Sequence, residues 1–472
     1  MIGEFAAKGF AFAYGFTNFL LLTAAATFQH GAFTKRASKE HDKELTISQD
    51  KYWNLNKSPI PGFRHAFHTL KNGAQLHYVI NNHSIDQKTK SKNVAIFIHG
   101  FPDTFTLWKN ILQTPDLANY VLIAVDIPGY GGSDSLPSYG PDQVLEALTA
   151  FILAMRAQHV EQGGKLVMVS HDWGGLISAR LASEAKELAD RWIITSAVIP
   201  AHLNSNARTF LASSRRMLHT FLAHPFSNFR LLKTAYATSQ PVFSQLKRSY
   251  YIFVLRLPGP IAKFFIRMGN YWFMGLLHMI QAGLISRGKF LGKFSDKEAA
   301  DWTAMSSGPG IAQFSEQIDG QGYSESVRRR IADLGTSEKI RIYREGLMFN
   351  PWEKSIETVV ALSEIPTDPS RSSSGAGLFE NGPKGALRVP TTLVLGKYDI
   401  AFERRLGTNG ISDFLVRNSQ VLYLGQSGHW IPFEPHAFPV VASIILWALE
   451  GEKVSLREQL QKYEDIEYAL EK

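Results

Sequence analysis

Short apolar runs that alternate with helical stretches dominate the middle of the chain. Two alternating segments, 64–70 and 74–80, flank a Lys-Asn-Gly turn, which is a hairpin signal. Helical patterns at 143–157 and 176–188 separate some of the later strands. Runs rich in β-branched residues, of the kind buried on both faces of a parallel sheet, lie at 94–98, 121–125, 166–169, 193–199, 391–395 and 421–424. This alternation predicts an α/β fold with a mostly parallel, doubly wound sheet.

The alternation stops after Pro200 and resumes at Val389. Between them the chain has no clear strand and shows helical patterns of mixed apolar and basic character. A large helical cap inserted between two strands explains this interruption, and the Ser/Gly/Pro-rich stretch 363–386 predicts a flexible loop that closes it. The predicted organisation is an N-terminal hydrophobic segment at 1–30, a polar linker at 31–58, core at 59–200, cap at 201–386, core at 387–450 and a helical tail at 451–472.

The N-terminal residues form a separate apolar segment. From Gly9 to Phe28 the chain carries no charge, about the length that a helix needs to cross a bilayer core. Lys8 is the only basic residue before this run, whereas four basic residues follow it, Lys35, Arg36, Lys39 and Lys43. The positive-inside rule then predicts a membrane anchor with the body of the protein in the cytoplasm. The alternative is a signal peptide cleaved near residues 24–26, which would lead to secretion.

Positive charge is concentrated in one part of the chain. The 472 residues carry a net charge of +8 and include no cysteine, which excludes a disulfide framework, a thiolate zinc site and a cysteine nucleophile. Residues 191–295 hold fourteen Lys and Arg side chains and no Asp or Glu, together with many aromatic and aliphatic residues. Such a surface suits a membrane better than nucleic acid, whose binding surfaces are more polar. The alternative is a basic, solvated face over an ordinary core.

The clearest chemical signal is the sequence Ser-His-Asp-Trp-Gly-Gly at 170–175, between a strand and a helix. Small residues on both sides of its centre are typical of a nucleophile elbow, where the two backbones pass close together. The centre is Asp172, in place of the usual serine. A carboxylate acylates poorly but can displace at a saturated carbon and form an alkyl ester of itself. The alternative is that Asp172 only caps the helix that follows.

Three other strand ends carry residues that suit the same chemistry. The His-Gly-Phe-Pro sequence at 99–102 could place the Phe101 N–H beside that of Trp173 as an oxyanion hole. Asp399 and His429 each follow a later strand, so the acid could orient the histidine as a base. Taken singly, each could be an ordinary turn, loop or core residue. Their chain order of nucleophile, acid and histidine is that of the α/β-hydrolase fold.

With these motifs the chain resembles the epoxide hydrolases of the α/β-hydrolase superfamily, over roughly residues 59–449. The match extends to Asp-Ile-Pro-Gly-Tyr-Gly-Gly-Ser at 126–133 and to Gly-His-Trp at 428–430. Ser170 is a small departure, because the family more often has glycine there. The long cap is a larger departure and leaves the shape of the substrate undefined.

The resemblance also implies two tyrosines in the cap that grip the epoxide oxygen. One precedes a Pro-Gly pair by seven residues, which is Tyr251 here, with Tyr250 as the alternative. The other belongs to a Tyr-Arg pair late in the cap, which is Tyr343 here.

The activity that the resemblance implies is hydrolysis of a hydrophobic epoxide to a vicinal diol. Asp172 would form the alkyl ester, and His429, oriented by Asp399, would activate the water that hydrolyses it, without any metal or organic cofactor. The alternatives are a haloalkane dehalogenase or another α/β-hydrolase with an Asp nucleophile, and a catalytically silent protein of the same fold.

Overall fold

The computed structural model describes residues 2–29, 31–33, 38–81, 91–226, 228–365 and 382–472. Most of the predicted loop at 363–386, together with Lys35 and Arg36, lies outside the described residues. The described strands are β1 (Phe63–Thr69), β2 (Gln75–Asn81), β3 (Ser91–Ile98), β4 (Val121–Val125), β5 (Val160–His171), β6 (Arg191–Thr195), β7 (Ile285–Ser286), β8 (Lys289–Phe290), β9 (Thr391–Gly396), β10 (Gln420–Leu424) and β11 (Ile466–Glu471).

Nine of these described strands form one sheet in the order β1-β2-β4-β3-β5-β6-β9-β10-β11. The five pairings from β4 through β10 are parallel, and the pairings at the two ends of the sheet are antiparallel. Strands β4, β6 and β9 are buried along their whole length, as their continuously apolar sequences predict. The predicted, mostly parallel α/β sheet is therefore confirmed.

Helices cover both faces of the sheet and also form the insertion. In the described residues the helices are α1 (Ile2–Ala24), α2 (Lys39–Trp53), α3 (Lys109–Leu112), α4 (Pro141–His159), α5 (Trp173–Glu184), α6 (Pro200–Ala223), α7 (Phe229–Arg248), α8 (Tyr250–Leu255), α9 (Gly259–Gln281), α10 (Asp296–Ser307), α11 (Glu325–Arg328), α12 (Thr336–Lys339), α13 (Ile356–Ser363), α14 (Arg404–Thr408), α15 (Phe438–Leu449) and α16 (Leu456–Gln459).

A helical insertion, called the cap below, separates β6 from β9. It runs from α6 to α13 and includes the two-residue strands β7 and β8. Helices α6 and α7 pair into a hairpin, in which the Ser214 hydroxyl donates to the Ala235 carbonyl at 2.7 Å. The base of this hairpin is tied to the core, because the Gln245 side-chain amide donates to the Ala401 carbonyl at 2.8 Å.

The segment predicted as a polar linker at 31–58 contains helix α2, which packs on the cap. Trp53 is fully buried, and its indole N–H donates to the Ala304 carbonyl of α10 at 2.8 Å. The Tyr52 hydroxyl donates to Asp301 of the same helix at 2.9 Å. Few apolar residues are needed for this docking, which explains why the average composition of the segment resembles a linker.

The C-terminal segment differs from the predicted helical tail. Only the short helix α16 forms there, and the chain then pairs β11 antiparallel with β10 at the edge of the sheet. Along β11 half-buried and exposed residues alternate, with Ile466, Tyr468 and Leu470 on the inner side. This two-residue period is typical of an edge strand with one covered face, and it outweighs the high charge that suggested a helix.

The N-terminal apolar helix is present. Within the described residues, the segment Phe5–Phe28 alone forms a helix that is long and apolar enough to cross a membrane, and only 11% of its most apolar window is buried. A cleaved signal sequence would share these properties. The helix could therefore be a membrane anchor or a signal sequence.

Candidate active site

Asp172 lies at the sharp turn between β5 and α5. Its backbone has φ 51° and ψ −118°, a conformation that is strained for a residue with a side chain. The turn is possible because its neighbours are small. A Cβ atom on Gly174 would lie 2.4 Å from the carbonyl oxygens of both Ile98 and His99. The local sequence therefore folds into the elbow that it predicts, and the Asp172 carboxylate projects from the carboxyl end of the sheet.

The loop after β3 holds one oxygen of that carboxylate. The backbone N–H of Phe101 donates to Asp172 Oδ1 at 2.9 Å. Gly100 is required for this approach, because a Cβ atom there would lie 2.5 Å from the same Oδ1. Trp173, the second predicted donor, begins α5 directly after Asp172.

Buried hydrogen bonds to the motif at 126–133 hold the loop after β3 in place. Asp126 accepts the N–H of Phe105 at 2.7 Å through one oxygen and the N–H of Gly132 at 2.9 Å through the other. His99 Nε2 accepts the N–H of Ile127 at 3.1 Å. The end of β4 thus positions the loop that carries the Phe101 N–H.

His429 connects the two carboxylates of the site. Its Nδ1 lies 2.9 Å from Asp399 Oδ2, and its Nε2 lies 3.4 Å from Asp172 Oδ2. All three side chains are almost fully buried. The structure therefore brings together the predicted nucleophile, base and acid from three separate strand ends.

The charges of these groups depend on one another. Burial alone would lower the pKa of His429, but the two carboxylates, Asp399 and Asp172, together raise it to about 10. Burial likewise opposes the charge of Asp172, yet hydrogen bonding and attraction from His429 keep the pKa of that carboxyl below its ordinary value. In the resting site His429 is thus a cation beside an ionised Asp172.

Two other histidines near the site stay uncharged. Burial lowers the pKa of His99 to about 4, and burial together with the charge of His429 lowers the pKa of His171 to about 3. His171 Nδ1 lies 3.0 Å from the Thr195 hydroxyl, and its ring centre is 5.2 Å from that of His429. His429 is therefore the histidine that can carry a proton beside Asp172.

The two cap tyrosines converge on this site. The Tyr343 ring packs edge-on against Trp173 at 4.7 Å and Phe101 at 5.3 Å between ring centres. Tyr251 lies beside Tyr343, with 6.1 Å between the ring centres. Burial raises the pKa of both phenols, and the negative charge of Asp172 raises both further. Both hydroxyls are therefore protonated at neutral pH and can donate hydrogen bonds.

Tyr250 occupies a different environment. Burial alone raises its pKa, without a contribution from Asp172 or Asp399, whereas both carboxylates act on Tyr251. Of the two neighbouring tyrosines, Tyr251 is also the one whose ring lies beside Tyr343, with 6.1 Å between the ring centres.

Sequence reasoning missed two buried charged groups beside the site. Asp103 accepts hydrogen bonds from Gln281 at 2.8 Å and from the Trp430 indole at 3.2 Å, and burial raises its pKa to about 7. Lys339 donates to the Pro102 carbonyl at 3.0 Å and to the Ser306 carbonyl, and burial lowers its pKa to about 7. Asp103 follows the His-Gly-Phe-Pro motif directly, which is the one signal that could have singled it out.

Comparison with known proteins gives partial matches to epoxide hydrolases. Epoxide hydrolase 3 of Xenopus tropicalis is 26% identical over 200 residues, 41% of this chain and 42% of that protein. Epoxide hydrolase 1 of Caenorhabditis elegans is 27% identical over 143 residues, 29% and 33% of the two chains. The soluble epoxide hydrolase of Corynebacterium sp. (strain C12) is 26% identical over 217 residues, 43% and 69% of the two chains. The chain thus spans less than half the length of the first two relatives.

The solved structures to which this chain is similar include an epoxide hydrolase from Bacillus megaterium in complex with an inhibitor. It is 16% identical, with a TM-score of 0.46, and the alignment covers 82% of this chain and 99% of that one. An epoxide hydrolase from Vigna radiata is 14% identical, with a TM-score of 0.44, and covers 83% and 98%.

The family assignment follows from the sequence profile of the alpha/beta hydrolase family. That profile matches residues 95–439, which is most of the chain and includes Asp172, Asp399 and His429. The sheet order and the strand–turn–helix elbow are those expected of the fold. This protein belongs to the alpha/beta hydrolase family.

Proposed function

We propose that this protein is an epoxide hydrolase that converts a hydrophobic epoxide to a vicinal diol through an ester of Asp172. The observation that carries the proposal is the packing of two cap tyrosines at the elbow of Asp172: Tyr343 lies against Trp173, and Tyr251 lies beside Tyr343. An epoxide needs a nucleophile at carbon and a donor at oxygen, and this pairing supplies both. The similarity to proteins named epoxide hydrolases supports the same reaction.

In the first step Asp172 Oδ2 attacks a ring carbon of the epoxide from the side opposite the C–O bond that breaks. Oδ1 is held by the Phe101 N–H at 2.9 Å, which leaves Oδ2, 3.4 Å from His429 Nε2, as the oxygen that attacks. The electron pair of the broken bond moves to the epoxide oxygen. Tyr251 and Tyr343 stabilise this alkoxide by hydrogen bonding and supply its proton.

In the second step water hydrolyses the ester. Esterification removes the negative charge of Asp172, which is one of the two charges that raise the pKa of His429. His429 can then release its proton, which restores the tyrosine that protonated the alkoxide, and it can act as a base toward water, while Asp399 keeps it oriented at 2.9 Å. Water attacks the ester carbonyl, and the oxyanion that forms on Oδ1 is stabilised by the Phe101 N–H and by that of Trp173.

Collapse of this intermediate breaks the Cγ–Oδ2 bond, so Oδ2 leaves with the substrate and Asp172 becomes a carboxylic acid. The proton taken by His429 passes to the departing Oδ2, so the product is a diol, and the proton of the new carboxyl group returns to His429 and restores the carboxylate. One oxygen of Asp172 then comes from water, which makes the route visible by isotope labelling.

The test is a single turnover of a small aryl epoxide in heavy-oxygen water with enzyme in excess. We expect the peptide that contains Asp172 to gain one heavy oxygen, and the peptide that contains Asp399 to gain none. His429→Gln should accumulate the ester as a mass increase on the Asp172 peptide. Diol formation without label in that peptide would refute the ester route.

Two alternatives would give other outcomes in the same assay. A haloalkane dehalogenase would release halide from bromoalkanes and leave the epoxide intact. A catalytically silent protein would form neither diol nor ester. Residue 102, directly after Phe101, is a proline without a side-chain donor for a halide ion, which favours the epoxide reaction.

We also infer that the enzyme works at a membrane, with its body on the cytoplasmic side. The apolar helix Phe5–Phe28 and the basic, acid-free segment 191–295 support this location. A lipid-dissolved epoxide would suit the apolar cap. N-terminal sequencing of the purified protein tests it: a mature chain that starts near Thr27 would instead indicate signal-peptide cleavage and secretion.

A further inference from the structure

Helix α1 lies along the cap and does not project away from it. The Tyr14 hydroxyl donates to the Leu246 carbonyl at 3.2 Å. A Cβ atom on Gly15 would lie 2.6 Å from the Phe253 carbonyl oxygen, so the two backbones are in close contact. Buried and half-buried residues recur every three or four positions on this face, at 11, 14, 15, 18, 19, 22, 23 and 26.

The contact continues over several turns. The Thr23 hydroxyl is 3.6 Å from the Met268 sulfur, and Ala26 is fully buried. From Tyr14 to Ala26 the helix advances about 18 Å, which is more than half of a bilayer core. A helix that crossed the membrane could keep these contacts only if the cap itself entered the hydrocarbon to the same depth.

The outward face of α1 is much more apolar than the inward face. The inward face contains the polar side chains Tyr14, Asn18 and Thr23, which bond to the cap or to the helix backbone. The outward face carries exposed large apolar side chains, namely Phe5, Phe10, Phe12, Phe16, Leu20 and Leu21. The cap therefore covers the less apolar face of α1 and leaves the more apolar face open to contact with lipid.

The hairpin of α6 and α7 exposes a second surface of the same kind. On α6 the exposed residues include Arg208, Leu211, Arg215, Leu218 and Leu222. On α7 they include Phe229, Arg230, Lys233, Tyr236, Phe243 and Lys247. Long basic side chains beside apolar ones can reach phosphate head groups while the apolar residues contact the lipid chains.

Within the described residues, the basic side chains of this surface have no acidic partner. In the part of the chain that the structure describes, the basic residues from Arg208 to Arg267 form no ion pair with a carboxylate. The contact between Tyr14 and Leu246 joins this hairpin to α1. Anionic lipid head groups complement the uncompensated charge, and they are concentrated in the cytoplasmic leaflet.

We propose that the protein is monotopic: α1 lies in the plane of one leaflet, held against the cap, and docks there together with the exposed face of α6 and α7. This arrangement replaces the membrane-crossing anchor that the length of the apolar run predicts. It does not depend on the proposed reaction, since each contact above lies outside the site.

Topology distinguishes the two arrangements directly. The chain has no cysteine, so Ala7→Cys introduces a single thiol at an exposed position on the cap-facing side of α1. The full-length protein is added to vesicles of phosphatidylcholine and phosphatidylserine and treated with a membrane-impermeant maleimide. We expect labelling as complete as for Lys453→Cys in the body. Labelling of Ala7→Cys only after the vesicles are permeabilised would overturn the proposal.

A cross-link between α1 and the cap gives a second test. In Thr23→Cys/Met268→Cys the two side chains that meet are joined by a short bis-methanethiosulfonate, which forms a disulfide with each cysteine and is released by reduction. A monotopic protein should float with the vesicles equally well before and after cross-linking. Loss of flotation on cross-linking, with recovery on reduction, would show that α1 must leave the cap and would overturn the proposal.

Charge neutralisation tests the contribution of α6 and α7. Arg215→Gln/Arg230→Gln should weaken partitioning into phosphatidylserine vesicles by about thirtyfold in a lipid titration. Lys453→Gln/Lys462→Gln, which removes two exposed charges elsewhere, should leave it unchanged, and circular dichroism should confirm that both variants are folded. Equal partitioning of the two variants, no preference for anionic vesicles, or binding only when another protein is present would each overturn the docking surface.

Discussion

Replacing Asp172 with asparagine should lower the pKa of His429 by two to three units, because asparagine resembles the neutral ester in size and charge. The Nε2 atom of His429 is 3.4 Å from Asp172 Oδ2. At an effective dielectric constant of about 20, a unit charge at that distance contributes about 5 kcal/mol, or about 3.6 pKa units. The carboxylate charge is shared with Oδ1, which already accepts the Phe101 N–H, so the observed change should be smaller.

The starting pKa of about 10 should therefore fall to about 7–8 in Asp172→Asn. At pH 7.5 the neutral fraction of His429 would rise from about 0.3% to roughly one half. This change is what the proposed second step requires, since only the neutral imidazole can accept a proton from water. The histidine would thus become a base only after the nucleophile has reacted.

The measurement is a pH titration of the protein labelled with ¹⁵N-histidine, with the His429 signal assigned by its absence from the His429→Gln spectrum. Asp301→Asn is the matched control, because that carboxylate bonds to Tyr52 on the outer side of the cap. We expect no change in the His429 titration in the control. A decrease of less than one unit in Asp172→Asn would refute the charge argument.

Three further predictions follow from other contacts. Tyr251→Phe and Tyr343→Phe should each slow formation of the ester about a hundredfold in rapid-quench measurements, whereas Tyr250→Phe should not. Equal rates in all three variants would contradict the assignment of Tyr251 and Tyr343 as donors to the epoxide oxygen. Gly174→Ala should lower the free energy of unfolding by about 3 kcal/mol, because its Cβ would meet two carbonyl oxygens. The control Gly275→Ala, where nothing lies within 4 Å, should raise the free energy of unfolding slightly. A Gly174→Ala protein as stable as the original would contradict the packing of the elbow. Burial lowers the pKa of Lys339 from 10.5 in the unfolded chain to about 7. Between those pH values the unfolded chain binds more protons than the folded one, so the free energy of unfolding rises with pH. Lys339→Met should flatten this rise in urea titrations at several pH values, and an unchanged slope would refute the prediction.

The strands and most of the site could be predicted because their signals are local. Each buried strand is a short run of β-branched residues, and the carboxyl ends of neighbouring parallel strands meet at one edge of the sheet. Residues at those ends, such as Asp172, Asp399 and His429, therefore converge however far apart they are in sequence. The elbow has an additional local cause, since only glycine leaves room for the two backbones at Gly174.

The remaining features depend on packing between distant segments. Asp103 and Lys339 look like ordinary loop and surface residues, and only the closure of the cap over the core buries them. Hydropathy identifies α1 as apolar but averages over its two faces, so the contact of Gly15 with the cap cannot be predicted from it. The strand β11 did carry an alternating pattern, which its glutamates obscured.

The docking of α2 determines where the chain can be shortened. The Trp53 ring is fully buried against Phe105 and His77, and Phe105 in turn is bonded to Asp126 beneath the site. Burying an indole of this size stabilises the folded state by about 5 kcal/mol. A shortened chain should therefore start near Ser38 and retain α2. A chain that starts at Pro59, where the composition becomes apolar, would leave a cavity where Trp53 packs against Phe105 and His77. We expect such a protein to be poorly expressed and prone to aggregation.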